Sequence, residues 1–169
     1  MKHRTQVALL LLFLLSTAVA LPVIPSAEAG GPDWAAQIQA MEEALVRGDA
    51  ATAQAAWREA YTAAHAGREW PGMMAVGDAA IRLGRATGTV AVAESRARRV
   101  YLTALFRARR HGSLDGVLAA GEAFGRLGDR EVVQQALAMA TDLARRSGDD
   151  LAQRRVQTFR SQWVAGPLT

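Results

Sequence analysis

Beyond residue 30 the chain alternates between stretches whose apolar residues recur every three or four positions and short breaks of Gly, Asp and Pro. That period belongs to an amphipathic helix with one buried face. No run of alternating β-branched residues interrupts it, so the pattern predicts an all-α chain of about seven helices. The first runs from about Asp33 to Arg47 and stops at Gly48-Asp49. Asp49 is a good N-cap for a second helix that reaches about Ala66 and stops at Gly67. After the linker REWPG, Pro71 suits the first turn of a third helix, which ends near Gly84 and the loop RATGT. A long fourth helix, about Val90 to Arg110, terminates at His111-Gly112, and Ser113 caps a fifth to Leu127. Asp129 opens a sixth to Ser147, and Asp149 or Asp150 caps a last helix ending near Trp163. The hairpins therefore fall at about 33–66, 71–110 and 113–147, with a capping helix at about 150–163.

The hairpins share a spacing. Gly121, Phe124, Gly128, Val133, Leu137 and Ala140 recur at the same offsets as Met41, Ala44, Gly48, Ala53, Trp57 and Ala60. In the middle hairpin Gly77, Ala80 and Gly84 start the series. After a four-residue loop insertion, Gly88, Ala93, Ala97 and Val100 continue it. With small residues where paired helices touch, the chain resembles the tetratricopeptide-repeat family over about residues 34 to 147. Met41 replaces the first glycine of one unit, Val133 replaces a small residue in another, and no repeat-closing proline is present. The resemblance implies a short right-handed solenoid of stacked antiparallel hairpins. An irregular helical bundle is the alternative architecture. Each hairpin has one apolar face that only its neighbours can bury, and about three units suffice.

The segment before residue 30 has a different pattern. MKHRTQ is a short positive start, VALLLLFLLSTAVALPVI an apolar centre, and AEA before Gly30 a signal-peptidase site, which makes residues 1–29 a signal peptide and 30–169 the helical-repeat domain. A cut after Ala20, or retention as a membrane anchor, are the rival readings. Cleavage predicts a secreted or periplasmic protein, with membrane contact only if the segment stays. The chain has no Cys, so the fold stands without disulfides or thiolate metal sites.

Charge changes the picture by where it lies. Without Lys2 and Arg4, the 20 basic residues become 18, all Arg; without Glu28, the 16 acids become 15. The resulting +3 is too small for a nucleic-acid partner to be expected. Residues 33 to 69 carry six acids and three Arg, whereas 82 to 110 carry eight Arg and one acid. On the fourth helix Arg96, Arg99, Arg107 and Arg110 share an arc of about 80°, a basic stripe beside a core-facing arc of Ala93, Ala97, Val100, Tyr101, Ala104 and Ala108.

Catalytic patterns are missing. HExxH, GxSxG, a phosphate-cradling glycine loop and a dinucleotide fingerprint are all absent, and the adjacent Glu42 and Glu43 point about 100° apart on a helix. His65 and His111 sit at helix C-termini, where the helix dipole accounts for them. Neither an enzyme, a cofactor nor a metal is expected. Trp70 beside Pro71 is read as packing over a hairpin junction, with a ligand anchor as the rival.

What the repeat resemblance implies is binding. Its first helices line a concave face, which here places Ile38, Glu42 and Leu45, then Met74, Asp78, Ile81 and Arg82, then Leu118, Glu122 and Arg126 along a groove for a protein or peptide partner. Asp78 with Arg82 and Glu122 with Arg126 stand four apart, the spacing of intrahelical ion pairs. The alternative function is a structural envelope component that self-associates, or meets an anionic surface, through the basic stripe.

Overall fold

Seven α-helices and no strand make up residues 33–165, the part of the chain that this computed structural model describes. They are α1 (Asp33–Val46), α2 (Ala50–Ala66), α3 (Trp70–Ala86), α4 (Val90–Arg110), α5 (Leu114–Arg126), α6 (Arg130–Ser147) and α7 (Asp150–Ala165). The expected signal segment at 1–29 and residues 166–169 of the tail lie outside the described residues.

Local chemistry sets the boundaries. Gly48, Gly88, Gly112 and Gly128 each adopt a left-handed conformation, with φ between 67° and 77°. The following amide reaches back to the carbonyl five residues earlier: Asp49 to Ala44, Thr89 to Gly84, Ser113 to Ala108 and Asp129 to Phe124, at 2.8–3.0 Å. This is the Schellman closure, which satisfies carbonyls that a helix end leaves bare. The residue after each glycine then begins the next helix. Asp49 accepts from the Thr52 amide, and Ser113 accepts from the Gly116 amide. The exit from α2 differs from expectation. The helix stops after Ala66, but Gly67 stays right-handed at φ −64° and Arg68 takes the left-handed position at φ 59°.

Packing follows chain order. Each helix packs on the next, and α1, α3, α5 and α7 also lie side by side, α1 against α3, α3 against α5 and α5 against α7. Among the described residues, helices further apart in the chain make no comparable contact. The odd-numbered helices thus form one layer, and α2, α4 and α6 cover it.

The recurring positions face this contact. Met41, Ala44, Ala53, Trp57, Ala60, Ala80, Ala97, Val100, Phe124, Val133 and Ala140 are buried, and Leu137 is partly so. Two glycines set how close α3 and α4 come. A Cβ on Gly84 would lie 2.1 Å from the Ala93 Cβ, and one on Gly77 would lie 2.3 Å from the Tyr101 ring. Three others receive large aromatics between odd helices, a role the spacing did not reveal; at one of them Phe159 of α7 covers Gly121 of α5. Trp34 of α1 covers Gly72 of α3, and Trp70 of α3 covers Gly116 of α5. Trp70 therefore packs across a hairpin junction.

Candidate functional site

The predicted groove residues divide into three groups. Met74 and Leu118 are buried in the core cluster, so they line no groove. The reason is the number of neighbours: α3 touches α1, α2, α4 and α5, and α5 touches α3, α4, α6 and α7, so each is covered over a wider arc than one hairpin would cover. Ile38 and Leu45 are partly buried against the same core. Glu122 is exposed on α5. Asp78, Ile81, Arg82 and Arg126 come together around one cavity of about 410 Å³, with Arg85, Val90, Glu94, Tyr101, Ala123 and Leu127 completing its wall.

The charges pair differently from the four-residue spacing. Arg82 Nε donates to Glu42 Oε1 at 2.6 Å, joining α3 to α1. Arg126 Nη2 lies 3.7 Å from Asp78 Oδ1, joining α5 to α3. Arg155 pairs with Asp115 and joins α7 to α5. Each Arg reaches an acid on the preceding odd helix, because the side-by-side layer brings that acid as near as one on its own helix. All six side chains are well exposed, so each pair contributes roughly 0.2–1 kcal/mol. Glu42 turns to Arg82 and Glu43 accepts from Gln39, so the two adjacent acids diverge as their helix spacing requires.

Tyr101 ties the cavity floor to this ladder. Its hydroxyl donates to Asp78 Oδ1 at 2.7 Å. Burial, and next the Asp78 carboxylate, push the phenol pKa above its ordinary range, which favours the protonated, donating form. The wall thus combines two guanidiniums from α3, one from α5, carboxylates from α3 and α4, and the aliphatic Ile81 and Leu127.

The basic stripe of α4 is also divided. Ala93, Ala97, Val100, Tyr101, Ala104 and Ala108 are buried, as the 100° spacing expects. Arg107, expected on the solvated face, is instead buried at 8% exposure. Its guanidinium donates to the carbonyls of Ala64 at 3.0 Å, His65 at 2.9 Å and Glu69 at 3.3 Å. It closes the C-terminus of α2, whose last carbonyls have no partner within their helix. Arg96 lies 4.5 Å from the Trp57 ring centre, a cation–π contact with α2, while the Trp57 indole donates to the Val76 carbonyl at 3.1 Å. Arg99 and Arg110 remain exposed. Beside them Leu102 and Phe106 are 39% and 50% exposed. Phe106 separates two grooves in the even-helix layer, one of about 780 Å³ between α2 and α4 and one of about 500 Å³ between α4 and α6.

Among the described residues no three His, Asp or Glu side chains gather into a metal-binding group, and no helix is long and apolar enough to cross a membrane. No family model matches the chain, and no curated protein or solved structure matches it either.

Proposed function

We propose that this protein is an exported, noncatalytic binding module, a short tetratricopeptide-like solenoid whose odd-helix face holds a protein or peptide segment without covalent chemistry. The observation that carries the reading is the cavity where α3, α4 and α5 meet. It unites Asp78, Arg82 and Arg126 with Arg85, Glu94 and the apolar Ile81 and Leu127. An extended segment offers backbone amides and carbonyls at regular intervals, and side chains of either charge would find a complement on this wall. Stacking in chain order supports the solenoid reading, because it leaves the odd-helix layer as a continuous surface. Export rests on the residue 1–29 pattern, and an N-terminal mass measured on the processed protein tests it.

The binding test is a double substitution, Arg82→Gln with Arg126→Gln, compared with wild type for recovery of specific partners and for unfolding midpoint. The pairs it removes are exposed, so the fold should survive while recovery falls. Unchanged recovery of the same partner would remove the groove assignment.

A second reading is favoured by the outward face of α4, where Arg99, Arg110, Leu102 and Phe106 remain uncovered. In that reading the face meets the acid-rich first hairpin of another copy, and the protein is a self-associating envelope component. Sedimentation at low and high ionic strength separates the two: a monomer under both conditions excludes self-association through these charges.

A further inference from the structure

The groove between α2 and α4 is lined by His65, Ala66, Arg68, Thr103, Phe106, Arg107 and Arg110, and encloses about 780 Å³. Three guanidiniums face it and no carboxylate does. Arg107 is buried, yet among the described residues it forms no salt bridge, and the groups it touches directly are three carbonyls. Buried charges are ordinarily matched by a counter-charge. The nearby carboxylate of Glu69 turns instead to His111, with 3.4 Å between Oε2 and Nδ1. Burial first, and then the neighbouring Arg110, lower the Arg107 pKa, with Arg68 acting in the same direction and the Glu69 carboxylate opposing them more weakly. Positive charge is therefore in excess along the lining of this groove.

Arg68 adds an independent observation. It holds the left-handed position that ends α2, at φ 59°, where glycine is the unstrained residue. The chain has a glycine next to it at 67, in a right-handed conformation any residue could adopt. Strained backbone of this kind clusters at ligand clamps and other functional sites.

We propose that this groove binds a soluble phosphate monoester carrying an apolar or flat group. The dianion would lie among Arg68, Arg107 and Arg110, and the apolar part against the half-exposed face of Phe106. A doubly charged oxyanion matches several guanidinium forks better than a single carboxylate does. The volume exceeds what inorganic phosphate needs and lies within the range of small-ligand sites. The groove is open to solvent, so vesicles of anionic lipid are the comparison that separates a soluble phosphate from a lipid headgroup. The site is on the even-helix layer and shares no lining residue with the cavity of Arg82 and Arg126, so its test stands apart from that of the peptide groove.

The experiment is calorimetric titration of the processed protein with phenyl phosphate, inorganic phosphate, benzyl alcohol and vesicles of anionic lipid near physiological ionic strength. Phenyl phosphate should bind saturably, inorganic phosphate about tenfold more weakly, and benzyl alcohol not at all. The double variant R68G/R110Q should lose at least about tenfold in phenyl phosphate affinity. It leaves Arg107 and the α2 carbonyls intact, and its Arg68→Gly change should raise the unfolding midpoint. A control, R47Q/R154Q, removes two exposed charges elsewhere and should keep the wild-type affinity. Three results overturn the proposal: no saturable binding of phenyl phosphate, equal loss in both double variants, or binding confined to vesicles of anionic lipid.

Discussion

Replacing Gly84 by Ala tests the tightest glycine contact among the described residues. The added Cβ would stand 2.1 Å from the Ala93 Cβ and 3.2 Å from the Thr89 carbonyl oxygen. Carbon atoms in contact settle at about 3.5–4.0 Å, so α3 and α4 would have to part locally by about 1.5 Å. Ala93 has no rotamer by which to yield, and its Cα is itself 3.6 Å from the new atom, so the backbone must move. Overpacking without a flexible neighbour belongs at the upper end of about 1–3 kcal/mol. Against it stands about 1 kcal/mol gained when Ala replaces Gly within a helix. The expected net loss is about 2 kcal/mol. The companion change Ala93→Gly should cost about 1 kcal/mol alone through helix propensity. In the double variant it makes room for the new methyl, bringing stability back to within about 1 kcal/mol of wild type. Urea unfolding of the four proteins, followed by far-ultraviolet circular dichroism, gives the coupling directly. A Gly84→Ala protein as stable as wild type, or additive effects in the double variant, would refute the claim that small residues here set the helix approach.

Two further outcomes follow from the way helices begin and end. Arg107→Met leaves the carbonyls of Ala64, His65 and Glu69 without their donor and should destabilise by about 2 kcal/mol. The loss should appear first as faster amide exchange around the α2–α3 turn, and unchanged exchange there would count against the capping role. Asp49→Ala should lower the unfolding midpoint at neutral pH, because the Asp49 carboxylate accepts from both the amide and the hydroxyl of Thr52. The Thr52 hydroxyl, followed by its amide, holds the Asp49 pKa below its ordinary 3.8. A depressed carboxylate stabilises above its unfolded pKa and loses that contribution as pH falls through the folded one. Wild type and Asp49→Ala should therefore converge as pH falls through the depressed Asp49 pKa, and a constant gap from neutral pH to strong acid would contradict this.

The way the sequence was legible depends on the distance over which each feature acts. Helix ends could be read because a Schellman glycine, an Asp or Ser cap and a Pro in a first turn act within a few residues of themselves. The core face of α4 could be read for the same reason, since 100° per residue decides which of its side chains share an arc. The exit from α2 was read only in part. Its end is where Gly67 suggests, but the strained residue is Arg68.

Which charge meets which was decided only by the tertiary structure. Arg82 reaches Glu42 across forty positions and Arg107 reaches Ala64 across 43, whereas the four-residue spacing pointed to neighbours on the same helix. Met74 and Leu118 show the same limit, because a helical pattern marks a face as apolar or mixed without counting the helices that will cover it. By itself, then, the chain determined seven helices, their turns and their core faces, all products of backbone geometry and nearby side chains. The layered stack alone determined the ion pairs between hairpins and the burial of Arg107, because those contacts exist only once distant segments lie side by side.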